Sequence, residues 1–186
     1  ILAKKSAQRG HVLVAGVYPS VSLPKSGSGM SAAEIPLVLS IIRQESAFDP
    51  TSTSRAGARG LMQIMPRTAL LTAKKFKKPY SRERLLNDPY YNLELGQAYL
   101  EMRLEEFGGS YPLTLAAYNA GPANAKRWMR TNGDPRNPEV DVVNWVEMIP
   151  YAETRNYVQR VMETLQVYRH LAKADTPLSI GEDLRR

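Results

Sequence analysis

Apolar positions recur at spacings of three and four along most of this chain. Ile35, Val38, Ile41 and Ile42 share one side of a predicted helix. Ser31-Ala-Ala-Glu34 reads as a capping box that opens it: the serine accepts from a free backbone N–H and Glu34 reaches back. Pro50 and the Ser/Thr stretch after it close this segment. A loop through Gly57 and Gly60 leads to Leu61-Met62-Gln63-Ile64-Met65-Pro66. Pro66 predicts the first turn of a helix running toward Lys75, where its missing N–H costs nothing. A long helix is expected after Pro89, with Leu93, Leu100, Leu104 and Phe107 on one stripe and Gly108 as its stop. Pro112 opens the next, to Gly121, and Pro122 restarts the chain as far as Asn132-Gly133. A short helix around Val142 to Met148 precedes Pro150. The last long helix carries Val158, Val161, Met162, Leu165, Tyr168 and Leu171 on one side. After residue 31 the only β signal is a small irregular hairpin near residues 51–60.

The first thirty residues differ. Lys4, Lys5, Arg9 and Gly10 precede a β-leaning His-Val-Leu-Val-Ala-Gly-Val-Tyr, and Pro19 to Gly29 is rich in Pro, Ser and Gly. The organisation expected is an arm or linker over 1–30, or the end of an upstream helical domain, then a main domain over 31–174 and a tail over 175–186. The chain begins at Ile1, as expected of a processed protein or a fragment, so a missing signal peptide does not argue for the cytoplasm.

Composition narrows the function classes. With 186 residues, 43% hydrophobic and 23% charged, the chain suits one globular domain rather than a disordered or collagen-like one. No apolar run approaches the roughly 18 residues that span a bilayer. The absence of cysteine removes disulfides, thiolate metal sites and cysteine nucleophiles. His11 and His170 lack partners at ligand spacing, so neither a metal nor a cofactor is expected. The 25 basic and 18 acidic residues give +7. Such a balance suits nucleic acid, anionic lipid or an anionic cell envelope, but no nucleic-acid module is recognisable. Between Arg67 and Arg84 lie Arg67, Lys74, Lys75, Lys77, Lys78, Arg82 and Arg84, against Glu83 alone. That stretch is either a solvated face or an aid to meeting an anionic envelope.

Glu45 is the most informative residue. It follows Val38, Ile41 and Ile42 by seven, four and three positions, which puts a carboxylate on the apolar stripe. A buried carboxylate without a full ion pair resists ionisation, and a raised pKa suits a general acid. The alternative is a structural glutamate paired with a buried arginine. Gln63, after the glycine loop, is either a sugar-binding amide or a loop cap. Ala116-Ala117-Tyr118-Asn119-Ala120-Gly121 sets small residues beside two polar tips, either for a ligand or for a tight helix contact. Asp49 is the nearest second carboxylate, but directly before Pro50 it suits a helix end.

Three segments in order, IIRQESAFDP, GARGLMQIMPRTA and LAAYNAGP, followed by IPYAETRNYVQRV, resemble the motifs of the soluble lytic murein transglycosylase catalytic domain. That family belongs to a lysozyme-like superfamily related to goose-type lysozymes. The resemblance covers roughly residues 32–172. It implies a mainly α, lysozyme-like domain of about seven to nine helices around a glycan-binding groove, with little or no β. It also implies peptidoglycan glycan strands as partner and a periplasmic location; from the composition neither nucleic acid nor a transmembrane segment is expected, and the oligomeric state is not legible, with a monomer as the default. By the same resemblance Glu45 is the single catalytic acid, Ser46 supports that motif and Ser54 lies near the reactive sugar. Met62 and Gln63 line the groove, Tyr118 and Asn119 form the third motif, Glu153 is a groove carboxylate and Tyr157 stands beside the muramic unit. The implied reaction cleaves the β-1,4 bond between N-acetylmuramic acid and N-acetylglucosamine and leaves 1,6-anhydromuramic ends. Hydrolysis by a muramidase, or glycan binding without catalysis, are the alternatives.

Overall fold

A computed structural model describes residues 14–25, 29, 32–173 and 178–186. Its helices are α1 (Val14–Val17), α2 (Ile35–Ser46), α3 (Pro66–Lys75), α4 (Arg84–Asn87), α5 (Pro89–Glu106), α6 (Tyr111–Ala120), α7 (Pro122–Asn132), α8 (Val142–Glu147), α9 (Ala152–Leu171) and α10 (Ile180–Leu184). Of these ten helices among the described residues, α1, α4 and α10 have only four or five residues and the other seven are longer, as the resemblance implies. Among the described residues β structure is limited to two antiparallel bridges, Thr53 with Arg59 and Arg59 with Ile64, where the hairpin was expected.

Prolines set the helix starts. α2, α3, α5, α6 and α7 each carry one in the first two positions, where a backbone N–H has no intrahelical partner. α5 departs from the expected single stripe. Leu93 and Leu100 enter the main core with α2, α6 and α9, while Tyr91 and Leu95 enter a smaller core under α3 and α4 with Ile64, Ala69, Ala73 and Leu85. The helix therefore divides two cores. α2 completely buries Leu37, Val38, Ile41 and Ile42, each worth about 1.5–3 kcal/mol. α9 packs along α2 and against α6.

Two local expectations are corrected. The helix of Glu45 starts at Ile35, with Glu34 as its cap residue but without a side-chain capping bond. Ser31 lies outside the described residues. The Glu34 carboxylate instead accepts Arg169 Nε at 3.0 Å, Arg169 Nη2 at 2.5 Å and Tyr111 Oη at 2.6 Å. Arg169, its side chain fully buried, also donates to Asp183 Oδ2 on α10 at 2.5 Å. Burial works against the Glu34 carboxylate, but the bonds from Arg169 and Tyr111 hold it below the ordinary carboxylate range. The second correction is the β-leaning N-terminal segment: Val14–Val17 is a turn of helix, and residues 11–13 lie outside the described part.

Candidate active site

α2 ends abruptly one residue after Glu45. Ala47 and Phe48 both adopt left-handed backbone, φ 51° and 65°, and Ala47 N donates to Arg43 O at 3.1 Å. Each such non-glycine residue costs about 1–2 kcal/mol. The two turn the chain sharply into the glycine loop, which folds back over the end of α2. Ser46 Oγ anchors that loop by donating to Leu61 O at 2.8 Å. Ser46 is buried, so it braces the loop behind Glu45 rather than facing a ligand.

Asn92 of α5 holds the other side of the loop. Fully buried, it accepts from Met62 N at 2.9 Å and donates to Arg59 O at 2.8 Å and Leu85 O at 3.0 Å. Its amide thus bonds backbone only, twice in the loop and once in α4. Gln63 sits at φ 44°, and its Nε2 donates to Ser52 O at 3.0 Å and Gly60 O at 2.8 Å. The loop-cap and groove readings of Gln63 therefore coexist: its amino group caps, while the residue lines a cavity. Met62 departs from the sequence expectation. It is wholly buried, with its side chain packed on Gly96, because the left-handed turn at Gln63 sends the two neighbours to different sides.

That cavity has a volume of about 240 Å³. Glu45, Ser54, Gln63, Tyr118, Asn119 and Glu153 all border it. Ser54 Oγ accepts from Ala58 N at 3.0 Å. Tyr118 Oη donates to Met62 O at 2.9 Å, and Asn119 Oδ1 accepts from Thr154 Oγ1 at 2.7 Å. Those two bonds tie the third motif to the glycine loop and to the first turn of α9. Tyr157, one turn on from Glu153, is buried; its hydroxyl is close enough to act on the Glu45 carboxylate without completing a well-formed hydrogen bond.

Burial raises the Glu45 carboxyl to about 7, opposed by the Tyr157 hydroxyl and reinforced by the negative charge of Glu153. The sequence alternative of a buried arginine partner is not realised: the salt bridges among the described residues do not include Glu45. Burial pushes the hydroxyls of Tyr118 and Tyr157 well above their ordinary range, with the Glu45 charge adding to it, so both stay neutral. Asp49 plays no part here. It is exposed, bonds Thr51 through its side-chain hydroxyl and backbone N–H, and is thereby held below the ordinary carboxylate range. No group of three or more metal-ligating side chains occurs among the described residues.

Sequence reading missed Tyr99, Met65 and Thr68, which also line the cavity. Tyr99 packs tilted against Tyr118 with ring centroids 5.3 Å apart, yet within α5 it reads as one more core aromatic. A larger hollow, about 570 Å³, borders Glu34, Tyr111 and Arg186 at the other end of α2. Glu34 is held there by Arg169 below the ordinary carboxylate range, the opposite of the shift at Glu45.

This mainly helical, lysozyme-like fold sets a protonatable glutamate in a tyrosine-walled cavity. The profile of the transglycosylase SLT domain matches residues 23–140, and that of the soluble lytic transglycosylase helical domain matches residues 148–176. The chain belongs to the transglycosylase SLT domain family. It is 42% identical over 143 residues to the soluble lytic murein transglycosylase of Escherichia coli K12, covering 75% of this chain and 22% of that protein. The structure of the 70 kDa E. coli soluble lytic transglycosylase superimposes with a TM-score of 0.74 at 38% identity, over 84% of this chain and 25% of that one; its complex with bulgecin A is also solved. An inactive glutamate-to-glutamine mutant of lytic transglycosylase Slt from Pseudomonas aeruginosa gives 0.72 at 36% identity, over 81% and 24%. The chain thus spans about a quarter or less of the length of these relatives.

Proposed function

We propose that this domain cleaves the β-1,4 bond between N-acetylmuramic acid and N-acetylglucosamine in peptidoglycan, without water, leaving 1,6-anhydromuramic ends. The observation that carries this reading is Glu45: a carboxyl raised to about 7 by burial, open to a cavity bordered by amide and tyrosine side chains. Near neutral pH a substantial fraction is protonated and can donate to the glycosidic oxygen as the bond breaks. The substrate's own N-acetyl group would stabilise the positive charge developing at the anomeric carbon. The resulting Glu45 carboxylate then takes the proton of the sugar 6-hydroxyl, whose oxygen closes on that carbon. One glutamate serves as acid and then base. The ring closure is intramolecular, so proximity supplies much of the advantage. Support comes from the E. coli relative's name and from the inactive glutamate mutant of the Pseudomonas one. The family resemblance also supports a periplasmic site of action. No helix among the described residues is long and apolar enough to cross a membrane.

Hydrolysis is the second reading, favoured by one observation. Most glycosidases use two carboxylates, and Glu153 supplies a second one in the same cavity. Glu153 is exposed, whereas Glu45 is confined, and this difference suits a charge that binds and tunes rather than a buried base. Mass spectrometry of purified peptidoglycan after digestion separates the two. Anhydromuramic products are expected; reducing muramic ends would establish a muramidase.

Glu153→Gln tests the tuning role. With its charge removed, the Glu45 carboxyl should drop, so the alkaline limb of the pH–rate profile moves to lower pH. Affinity for glycan fragments should weaken several-fold while the melting temperature stays within about 2 °C, since the site is exposed. An unmoved pH profile together with unchanged affinity would remove Glu153 from the site.

A further inference from the structure

Between Pro50 and Arg82 the chain has no acidic residue and eight cations. α3 concentrates them on one side. Ala69, Thr72 and Ala73 face the core. At 100° per residue the opposite face reads, in angular order, Leu70, Lys74, Arg67, Leu71 and Lys75. All five are exposed, Leu70 at 47% and Leu71 at 59%. Lys77 follows just past the helix end, also exposed. Lys78 and Arg84 are paired, with Glu94 and Asp88 respectively. Arg67, Lys74, Lys75 and Lys77 form no ion pair among the described residues, and the nearby Glu83 accepts from Ser81 instead.

We propose that this face docks on the surface of an anionic lipid bilayer, with Leu70 and Leu71 entering the headgroup–acyl boundary and the flanking cations meeting lipid phosphates. Cations alone would serve any polyanion, including a glycan bearing carboxylates. Two leucines set among them leave apolar area in water that hydroxyl-rich glycan does not recover, whereas a bilayer boundary recovers the apolar area and the charge together. A ten-residue helix is too short to span and suits lying flat. The same helix gives Thr68 to the active-site cavity, and its cap residue Met65 also lines it. Docking would therefore hold the mouth of the cavity beside the bilayer, where glycan close to the membrane is within reach. This inference stands apart from the proposed reaction.

The test is flotation of the full chain with vesicles of phosphatidylglycerol and phosphatidylcholine, beside vesicles of phosphatidylcholine alone and insoluble peptidoglycan. Binding to the anionic vesicles is expected at about 0.15 M salt. Each surface cation contributes about fivefold, so the Lys74→Gln/Lys75→Gln variant should bind at least about tenfold more weakly. Leu70→Ser/Leu71→Ser should also lose binding several-fold. Both variants should keep the wild-type circular dichroism spectrum and digest soluble glycan fragments normally. Absence of binding to the anionic vesicles would overturn the proposal. So would loss in the lysine variant with none in the leucine variant, which would mean attraction by charge alone. Stronger retention on peptidoglycan than on vesicles, lost with the same lysines, would assign the face to the glycan instead.

Discussion

Glu45→Gln is expected to reduce peptidoglycan cleavage by at least about 100-fold, the lower end of what a positioned acid contributes. The substitution keeps the shape of the side chain and removes the transferable proton. Glycan affinity should survive, because Ser54, Gln63 and Asn119 still border the cavity. The wild-type rate should fall by a factor of ten per pH unit above about 7, as the protonated fraction of Glu45 declines. Stability carries the same signature. Between the ordinary carboxylate value of 4.5 and about 7, the folded protein binds more protons than the unfolded chain, so stability falls as pH rises through that window. The neutral amide escapes this loss and should be the more stable form at pH 8 by about 1–3 kcal/mol. A variant that is inactive but stabilised at alkaline pH is the joint result to seek by turnover and calorimetry. Near-normal turnover would end the assignment of Glu45 as the acid.

Gly60→Ala should produce the largest loss of stability without touching a cavity side chain. Gly60 has φ +72°, a conformation costly for alanine, and an added Cβ would overlap Asn92 Nδ2 and the Leu85 carbonyl and stand 2.8 Å from Asn92 Cγ. The Leu85 oxygen is backbone and cannot swing away. Strain and overpacking together are expected to cost about 3–5 kcal/mol. At about 2–4 °C per kcal/mol, the melting temperature should fall by roughly 6–20 °C. Gly57→Ala is the control. Gly57 also has positive φ, at +90°, but an added Cβ there meets nothing within 4 Å. A small loss at Gly57 beside a large one at Gly60 would attribute the effect to crowding against Asn92. Equal losses would leave backbone strain as the sole cause.

The helical skeleton was legible because prolines write it. Pro66, Pro89 and Pro122 start their helices where the sequence places them, and Pro112 sits at the second position of its own. The inward placement of Glu45 was legible from spacing alone, since the helix period fixes its side. What local pattern misses is competition from distant residues. Glu34 reads as the back half of a capping box, but a cation 135 positions away takes its carboxylate. Met62 and Gln63 are neighbours in one motif, and only the left-handed backbone at Gln63 explains why one enters the core and the other faces the cavity. Asn92 carried no signal as the fastener of the loop, because its three partners lie 7, 30 and 33 positions away. Tyr99 was hidden by its company, one of three tyrosines on a helix buried on two sides.

The Arg169 cluster bears on Glu45 from a distance. α2 carries Glu34 at its start and Glu45 near its finish, some 16 Å apart at 1.5 Å per residue. α9 carries Glu153 and Tyr157 near its start and Arg169 near its finish. The two helices therefore act like the arms of tongs riveted at one end by a guanidinium, with Glu45 facing Glu153 and Tyr157 at the jaws. The gap between jaws is set by the rivet and by the apolar surface along both arms, not by the surface loops. Loop exchange in a lineage would then alter the cavity's other walls while leaving the surroundings of Glu45 inherited intact.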